Sequence, residues 1–240
     1  MDIFDDLVAE QERLETILSG LPADAWLVES GAPGWTITDV VLHLAQSEEA
    51  VPATVAGTAI WQVEAETLDG VMDALVQAER AAPEVVFERW RVACRASVAA
   101  LRQTDPAKRL LWAATPLKPG TLATTRLAEH WAHGLDITTP LGVAFPDTDR
   151  LRHIAWLAHS TLPYAFGLVG QPSAAVYCEL TAPDGDIWRY GPPDAESTIT
   201  GPAGAFCRVG ARRLAPEDSG LVASGPHGPA ALSVLRNYAA

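Results

Sequence analysis

The sequence is poor in cysteine and has no long apolar run. Its three cysteines, Cys94, Cys178 and Cys207, are odd in number, widely separated and without CxxC spacing. That pattern argues against a disulfide framework and indicates a reducing compartment. No stretch approaches the roughly eighteen consecutive apolar residues of a membrane-spanning helix, and the N-terminus is acidic where a signal peptide needs basic residues. We therefore expect a cytoplasmic protein.

Basic residues are also scarce. Lysine and arginine number 17 against 30 aspartates and glutamates, which gives a formal net charge of −13. A surface of that sign repels phosphate backbones and anionic lipid headgroups. The chain also lacks a glycine-rich phosphate loop, internal repeats and low-complexity tracts. We expect neither nucleic acid nor a membrane as a partner, and we look for a small-molecule ligand instead.

Helical periodicity dominates the first 140 residues. Apolar residues recur every three to four positions in a first helix ended by Gly20 and Pro22, and again in a helix capped by Thr36 or Thr38. A long helix is predicted from Pro83 to about residue 104, and another carries residues 127–137. Four principal helices with such connections are typical of a bundle, in which facing helices can build a metal site in the core.

The periodicity changes in the last third of the chain. Residues 138–147 are rich in proline, glycine and threonine, as expected at a domain boundary. A helix capped by Asp147 or Thr148 is predicted to follow. After Gly170 alternating patterns predict strands, and two terminal helices complete the region. The predicted segments are strands at residues 175–181, 187–190 and 197–200, and helices at residues 202–214 and 229–238. We predict two domains, residues 1–145 and 146–240.

Glu129 and His133 form the clearest candidate for a chemical site. They are four residues apart in a predicted helix, which places both side chains on the same side, one turn apart. A carboxylate and an imidazole in that arrangement can bind one metal ion, and a catalytic zinc site usually needs a third protein ligand from elsewhere. His43, at the margin of an apolar helix face, is our candidate. The alternative is that Glu129 and His133 belong to a solvated helix face.

Two stretches around these residues resemble one known family. Residues 34–44, Gly-Trp-Thr-Ile-Thr-Asp-Val-Val-Leu-His-Leu, resemble the opening of the second helix in the mycothiol-dependent maleylpyruvate isomerase family, a branch of the DinB-like metal-binding bundles. Residues 128–136, Ala-Glu-His-Trp-Ala-His-Gly-Leu-Asp, resemble that family's second metal motif. The resemblance implies that His43, Glu129 and His133 together ligate one divalent ion, with Zn²⁺ preferred.

The resemblance extends to the C-terminal region. Residues 199–203 and the arginines that follow, Arg208, Arg212 and Arg213, resemble the family's C-terminal α+β domain, which is related to sterol-carrier-type modules. Family members carry an arginine in this region that helps hold an acidic substrate or the thiol, and we select Arg212 for that catalytic role. The implied fold is multidomain, α plus α+β: a DinB-like four-helix bundle followed by a small sterol-carrier-like α+β domain.

A thiol-based reaction follows from this assignment. An ion held by two imidazoles and one carboxylate keeps positive charge and an open position, where a bound thiol loses its proton well below its free pKa. The resemblance supplies the thiol, the low-molecular-weight cofactor mycothiol. We expect sulfur addition to an acidic or electrophilic small molecule. An isomerase would release the thiol after bond rotation, whereas a transferase would keep the adduct.

Two other functions fit the same residues. In a metal-dependent hydrolase, the open position would hold water and Glu48, Glu49 or another carboxylate would act as base. In a non-catalytic small-ligand-binding protein, the metal would be structural, and a fourth protein ligand such as His130 or His159 would close the site. Otherwise we expect His130 beside the ligands or at the surface, and Asp136 as a possible hydrogen-bond acceptor for His133.

Overall fold

The computed structural model describes residues 2–58, 68–112 and 115–238. Over these residues the chain forms two compact units, which divide between Phe145 and Pro146. The first unit is helical, and the second combines helices with a small sheet. The predicted fold class is therefore confirmed: a helical bundle is followed by a small α+β domain. None of the described helices is long and apolar enough to cross a bilayer.

The first unit is built on four long helices and one shorter helix. The bounds are α1 Ile3–Ser19, a 3-10 turn Ala25–Leu27, α2 Ile37–Ala56, α3 Leu68–Ala78, α4 Pro83–Gln103 and α5 Pro119–Thr138. Helix α2 packs along α4, α1 packs along α5, and α2 also contacts α5, while the shorter α3 lies against α2. Their apolar faces form the core, which includes Leu14, Val41 and Trp90.

Local sequence fixes where these helices begin. At the start of α2, the Thr36 hydroxyl accepts from the Asp39 backbone N–H at 3.2 Å, and the Asp39 carboxylate accepts from the Thr36 N–H at 2.9 Å. This reciprocal capping box satisfies two backbone donors that the first turn would leave unpaired. Pro83 and Pro119 open α4 and α5, where the missing N–H of proline costs no helical hydrogen bond. The starts of α2 and α5 set the positions of His43 and Glu129 along their helices.

The second unit is a four-stranded sheet with helices packed on it. The bounds are α6 Leu151–Ser160, α7 Leu162–Leu168, β1 Val176–Thr181, β2 Ile187–Tyr190, β3 Ser197–Pro202, α8 Ala203–Gly210, a 3-10 turn Pro216–Asp218, β4 Val222–Ser224 and α9 Gly228–Val234. The sheet order is β2-β1-β3-β4. Strand β1 is antiparallel to β2 and parallel to β3, and β3 is antiparallel to β4. Helices α6, α8 and α9 contact the strands.

Four details of the second unit differ from the sequence prediction. The terminal helix α9 ends at Val234, four residues earlier than predicted. The residue preceding α6 is Arg150, which lacks a capping side-chain bond, so neither Asp147 nor Thr148 caps the helix. Asp147 instead forms a two-point ion pair with Arg208. Helix α8 ends at Gly210, four residues earlier than predicted, and Arg212 adopts a φ of 60° that a continuing helix cannot accommodate. Strand β4 is too short to show an alternating pattern.

Candidate metal centre

Helices α2 and α5 bring three ligand-type side chains together. The Nε2 atom of His43 lies 3.6 Å from Oε2 of Glu129, and Nε2 of His133 lies 3.4 Å from the same oxygen. One ligand atom from each residue lies within 4.8 Å of the other two. The side chains are 11%, 26% and 12% exposed, in the order His43, Glu129 and His133. The cluster is therefore not a solvated helix face.

The two distances from the imidazole nitrogens to Glu129 fit a small divalent cation. With metal–ligand bonds of about 2.0–2.1 Å, the ligand atoms of a tetrahedral zinc site lie about 3.4 Å from one another. The two distances measured to Glu129 match that edge length. Three protein ligands leave one position of a tetrahedron for an exogenous ligand. Within the described parts of the chain, the cluster contains no fourth His, Cys, Asp or Glu.

Asp136 fixes the orientation of His133. Its Oδ2 lies 2.9 Å from Nδ1 of His133, and because an ionised carboxylate can only accept, Nδ1 carries the proton. The Nε2 lone pair of His133 is then directed at the cluster. Asp136 is itself held by the loop before α2, since Gly31 donates its backbone N–H to the Asp136 carbonyl at 2.8 Å. A Cβ at Gly31 would lie 3.0 Å from Cα of Asp136, which favours glycine there.

The electrostatics of the cluster favour an ionised carboxylate. Burial alone would raise the pKa of Glu129, but the neighbouring imidazoles of His133 and His43, together with the Arg126 charge, hold that pKa well below its usual range. Burial lowers the pKa of His43, and the charge of His133 adds to this, while Glu129 partly offsets both. Burial would also lower the pKa of His133, but Asp136 and Glu129 outweigh it and raise that pKa. Glu129 therefore supplies the negative charge that attracts a cation.

A second connection between α2 and α5 lies one turn from the triad formed by His43, Glu129 and His133. Arg126, three residues before Glu129, donates from Nε to Oε1 of Glu48 at 2.8 Å and from Nη2 to Oγ of Ser47 at 2.6 Å. Ser47 is one turn beyond His43 on α2. Arg126 and Glu48 are both almost completely buried. This buried ion pair fixes α2 against α5 immediately beside the ligands.

The two glutamates considered as a hydrolytic base are both engaged in ion pairs. Glu48 is fully buried and pairs with Arg126. Glu49 accepts from Nε and Nη2 of Arg89 at 2.7 and 2.8 Å through its two oxygens. Each carboxylate already accepts hydrogen bonds from an arginine, and neither belongs to the cluster of His43, Glu129 and His133. This pairing counts against either residue as a base.

His130 lies in the bundle core, so of the two positions expected from the sequence, beside the candidate ligands or at the surface, the surface position was wrong. It is fully buried, its Nε2 accepts from the Trp90 indole N–H at 3.1 Å, and its Nδ1 lies 2.9 Å from the Arg126 carbonyl, to which it donates. Burial lowers its pKa, consistent with a neutral ring. His159 donates from Nε2 to the Val176 carbonyl at 2.9 Å. Both imidazoles are thus engaged in hydrogen bonds away from the triad.

Comparison with known proteins places the chain in a family. The family model described as the mycothiol maleylpyruvate isomerase N-terminal domain matches residues 7–138, which is more than half of the chain. The chain belongs to the mycothiol maleylpyruvate isomerase family. Two uncharacterized proteins of Mycobacterium tuberculosis, MT0041 of strain CDC 1551 and Rv0036c of strain H37Rv, are each 33% identical to it over 98% of this chain and 94% of their own length.

Solved structures of the family share the fold. The crystal structure of the mycothiol-dependent maleylpyruvate isomerase superposes with a TM-score of 0.63 at 16% identity, covering 92% of this chain and 91% of that chain. A histidine-to-alanine variant of the isomerase gives the same TM-score and coverage at 15% identity. At this identity the likeness establishes a shared fold for both units of this maleylpyruvate isomerase family member.

The three C-terminal arginines of this family member differ in their surroundings. Arg208 forms two hydrogen bonds of 2.8 Å with the Asp147 carboxylate, and Arg213 donates to the Ala211 carbonyl at 2.7 Å. Arg212 is exposed, and no hydrogen bond or ion pair of its guanidinium occurs among the residues that the structure describes. Of the three, Arg212 has the side chain most available to a ligand.

Sequence reasoning missed two residues beside the triad. Trp35 lies within the family-like motif, yet its type alone does not show that its ring contacts both histidines. Arg126 lies on the same helix as Glu129, but its partner Glu48 is 78 residues away in the sequence. An arginine one turn before Glu129, on the same side of the helix as the candidate ligands, was the available signal.

Proposed function

We propose that this protein is a divalent-metal-dependent enzyme that uses mycothiol. The observation that carries the proposal is the convergence of His43, Glu129 and His133 in a chain of the mycothiol maleylpyruvate isomerase family. The reaction class is thiol addition to an electrophilic small molecule, ending either in isomerisation with return of the thiol or in a retained S-adduct. Isomerisation takes precedence, because the solved structures of the same fold are named as isomerases.

The donor set supports Zn²⁺ as the preferred ion. Two imidazole nitrogens and one carboxylate oxygen suit borderline divalent cations, and zinc commonly takes this combination in catalytic sites. When bound, the ion would supply a positive charge that lowers the pKa of a coordinated thiol. Glu129 contributes the anionic ligand. His43 and His133 contribute neutral Nε2 donors, and Asp136 keeps the proton of His133 on Nδ1.

Arg212 is the proposed anchor for an acidic group on the substrate or on the thiol. Its side chain is exposed, and that of Arg208 is bound by Asp147. The guanidinium remains charged at any physiological pH and can bind a carboxylate through two parallel N–H donors. In this role Arg212 binds and orients and takes no part in proton transfer.

A thiol-dependent assay tests the proposal. Purified protein, depleted of metal with a chelator and reloaded with Zn²⁺, is mixed with mycothiol and with maleylpyruvate as the probe electrophile. We expect turnover that requires both zinc and thiol and that His43→Ala and His133→Ala abolish. Gln46→Ala, a substitution on α2 outside the triad, is the matched control and should retain activity. Turnover of a simple ester at the same rate with and without thiol would contradict the proposal and favour hydrolysis.

A further inference from the structure

The two histidines of the triad are held in different ways. His133 donates from Nδ1 to Asp136, the arrangement usual for a metal-binding histidine. His43 is buried, and its Nδ1 has no hydrogen-bond partner among residues 2–58, 68–112 and 115–238. Its Nε2 faces Glu129. Within the part of the chain that the structure describes, the hydrogen bond that orients His133 therefore has no counterpart at His43.

An indole ring packs against His43 instead. The Trp35 ring centroid lies 5.1 Å from that of His43, with the planes inclined at 46°. The same indole lies 6.4 Å from the His133 ring at a smaller angle of 26°, and the two imidazoles are 5.0 Å apart and nearly perpendicular. Since rigid aromatic side chains have few rotamers, contact with a fixed indole limits the rotation of an imidazole about its χ2 bond.

Trp35 is itself fixed at both its backbone and its side chain. The Ser30 N–H and hydroxyl donate to the Trp35 carbonyl at 2.9 and 2.8 Å, which closes the loop before α2. The indole Nε1–H donates to Oδ1 of Asp73 on α3 at 3.0 Å. The other oxygen of Asp73 accepts from Gln77 at 2.7 Å, which holds the carboxylate toward the indole. The orientation of Trp35 thus depends on α3.

We propose that Trp35 is the positioning residue for His43, replacing a hydrogen-bond partner by packing, and that Asp73 on α3 holds the indole in place. The inference rests on the proposed function in one respect, namely that the triad binds a divalent cation. It goes further in assigning a role to Trp35, Asp73 and α3, none of which supplies a ligand atom. The preorganisation of the site is then unequal: a carboxylate orients one histidine and an indole orients the other.

The unequal support has a measurable consequence for cation affinity. Loss of an outer contact to a metal-binding histidine typically costs about 10- to 100-fold in affinity. Removing the indole frees the His43 ring, so Trp35→Ala should weaken binding by about that factor. Trp35→Phe keeps an aromatic face but loses the N–H to Asp73, and should have a smaller effect. Asp73→Ala should resemble Trp35→Phe, whereas Asp73→Asn should behave as wild type because its amide oxygen still accepts.

Titration of the metal-depleted full-length protein with Co²⁺ tests the proposal, with affinity and visible absorption bands as readouts and thermal unfolding measured in parallel. Trp26→Phe is the matched control, because Trp26 is buried in the bundle and packs against Phe87 at 5.6 Å, away from the triad. We expect Trp26→Phe to lower stability and leave the Co²⁺ affinity and spectrum unchanged. Trp35→Ala should weaken affinity and change the spectrum. Rescue of affinity in Asp73→Asn relative to Asp73→Ala would support the proposed role of the carboxylate.

The possible failures are distinguishable. If wild-type protein binds no Co²⁺, the proposed function is wrong. If wild type binds and Trp35→Ala binds with the same affinity and spectrum, the proposed function stands and the role of Trp35 is wrong. Should Trp35→Ala not fold, the comparison of Asp73→Ala with Asp73→Asn decides: equal affinity in both would contradict the proposal, and weaker binding in Asp73→Ala would support it.

Discussion

His133 donates the proton on its Nδ1 to the carboxylate of Asp136 over 2.9 Å, across three residues of α5. This bond directs Nε2 of His133 at the candidate metal centre and raises the pKa of the ring against the opposing effect of burial. Both effects bear on metal binding, since only the neutral imidazole can ligate. Asp136 therefore controls the direction in which His133 points and the pH at which its Nε2 is free of a proton and open to a cation.

The raised pKa of His133 predicts how cation affinity depends on pH. The proton and the cation compete for Nε2, so affinity should fall as pH drops through the raised pKa, beginning above the ordinary histidine value of 6.5. Asp136→Asn removes the charge that raises the pKa. The curve of cation affinity against pH should therefore shift to lower pH in Asp136→Asn. At high pH the affinity of this variant should be about 10-fold lower than that of wild type, because the His133 ring no longer donates to a charged acceptor. Zinc titrations across a pH series check this, and an unshifted midpoint would contradict it.

The metal-free protein should show the matching stability effect. A folded-state pKa above the unfolded value stabilises the fold fully below pH 6.5, the unfolded reference, and this contribution is lost as pH rises through the folded pKa. The contribution of Asp136 to unfolding free energy should therefore be larger at low pH than at high pH. Urea unfolding of wild type and Asp136→Asn at two pH values, in chelator, measures the difference.

The buried ion pair between Arg126 and Glu48 should dominate the stability of the α2–α5 contact. Removing one partner leaves an uncompensated buried charge, so Arg126→Met should cost about 3–5 kcal/mol of unfolding free energy. Replacing both residues by leucine should recover most of that loss, because no unpaired charge remains. Urea unfolding of the metal-free proteins checks the pair. A double variant no more stable than Arg126→Met would show that packing, and not unpaired charge, accounts for the loss.

Gly134 is needed for close packing beside His133. A Cβ there would lie 2.5 Å from Cζ of Phe145, whose ring is stacked under the Arg13 guanidinium at 3.6 Å. Gly134→Ala should therefore lower stability, although alanine normally favours a helix interior over glycine by up to about 1 kcal/mol. Gly120→Ala on the same helix is the control, because its nearest neighbour would be 3.9 Å away. Thermal unfolding should show a loss for the first and no loss for the second.

Two substitutions at Arg212 distinguish the effect of its charge on binding from the effect of its backbone conformation on stability. Its φ of 60° is a conformation that favours glycine. Arg212→Gly should therefore raise stability, while Arg212→Ala should leave it nearly unchanged. Both remove the charge, so both should raise KM for an acidic substrate or for mycothiol with metal content unaltered. Arg189→Ala, an exposed arginine on β2, is the control for kinetics. Unchanged KM in both Arg212 variants would remove this residue from the proposed site.

Sequence periodicity predicted the elements that carry the site, but not what surrounds it. The i, i+4 spacing placed Glu129 and His133 on one side of a helix, and the bundle pattern with the family-like motif indicated His43. The sequence left the position of His130 open, beside the candidate ligands or at the surface, because adjacent residues on a helix point in different directions and the sequence does not show which flank packs against another helix. Its partner, Trp90, lies on α4, 40 residues away.

Contacts between distant segments explain the other omissions. The pairing of Arg126 with Glu48 and of Trp35 with Asp73 depends on how helices dock, which composition and spacing do not encode. The predicted helix at residues 202–214 is longer than α8, because the apolar periodicity continues beyond Gly210. The backbone leaves the helical conformation at Arg212, where φ is 60°. In each case tertiary packing decided between conformations that the local sequence allowed equally.

Elemental analysis of the purified protein tests the central claim most directly. The convergence of His43, Glu129 and His133 predicts close to one equivalent of a divalent metal, with zinc foremost, in wild type. His43→Ala and His133→Ala should lose most of it while retaining a helical circular dichroism spectrum. A wild-type protein that holds no divalent metal after incubation with Zn²⁺ and desalting, or variants that retain a full equivalent, would contradict the account.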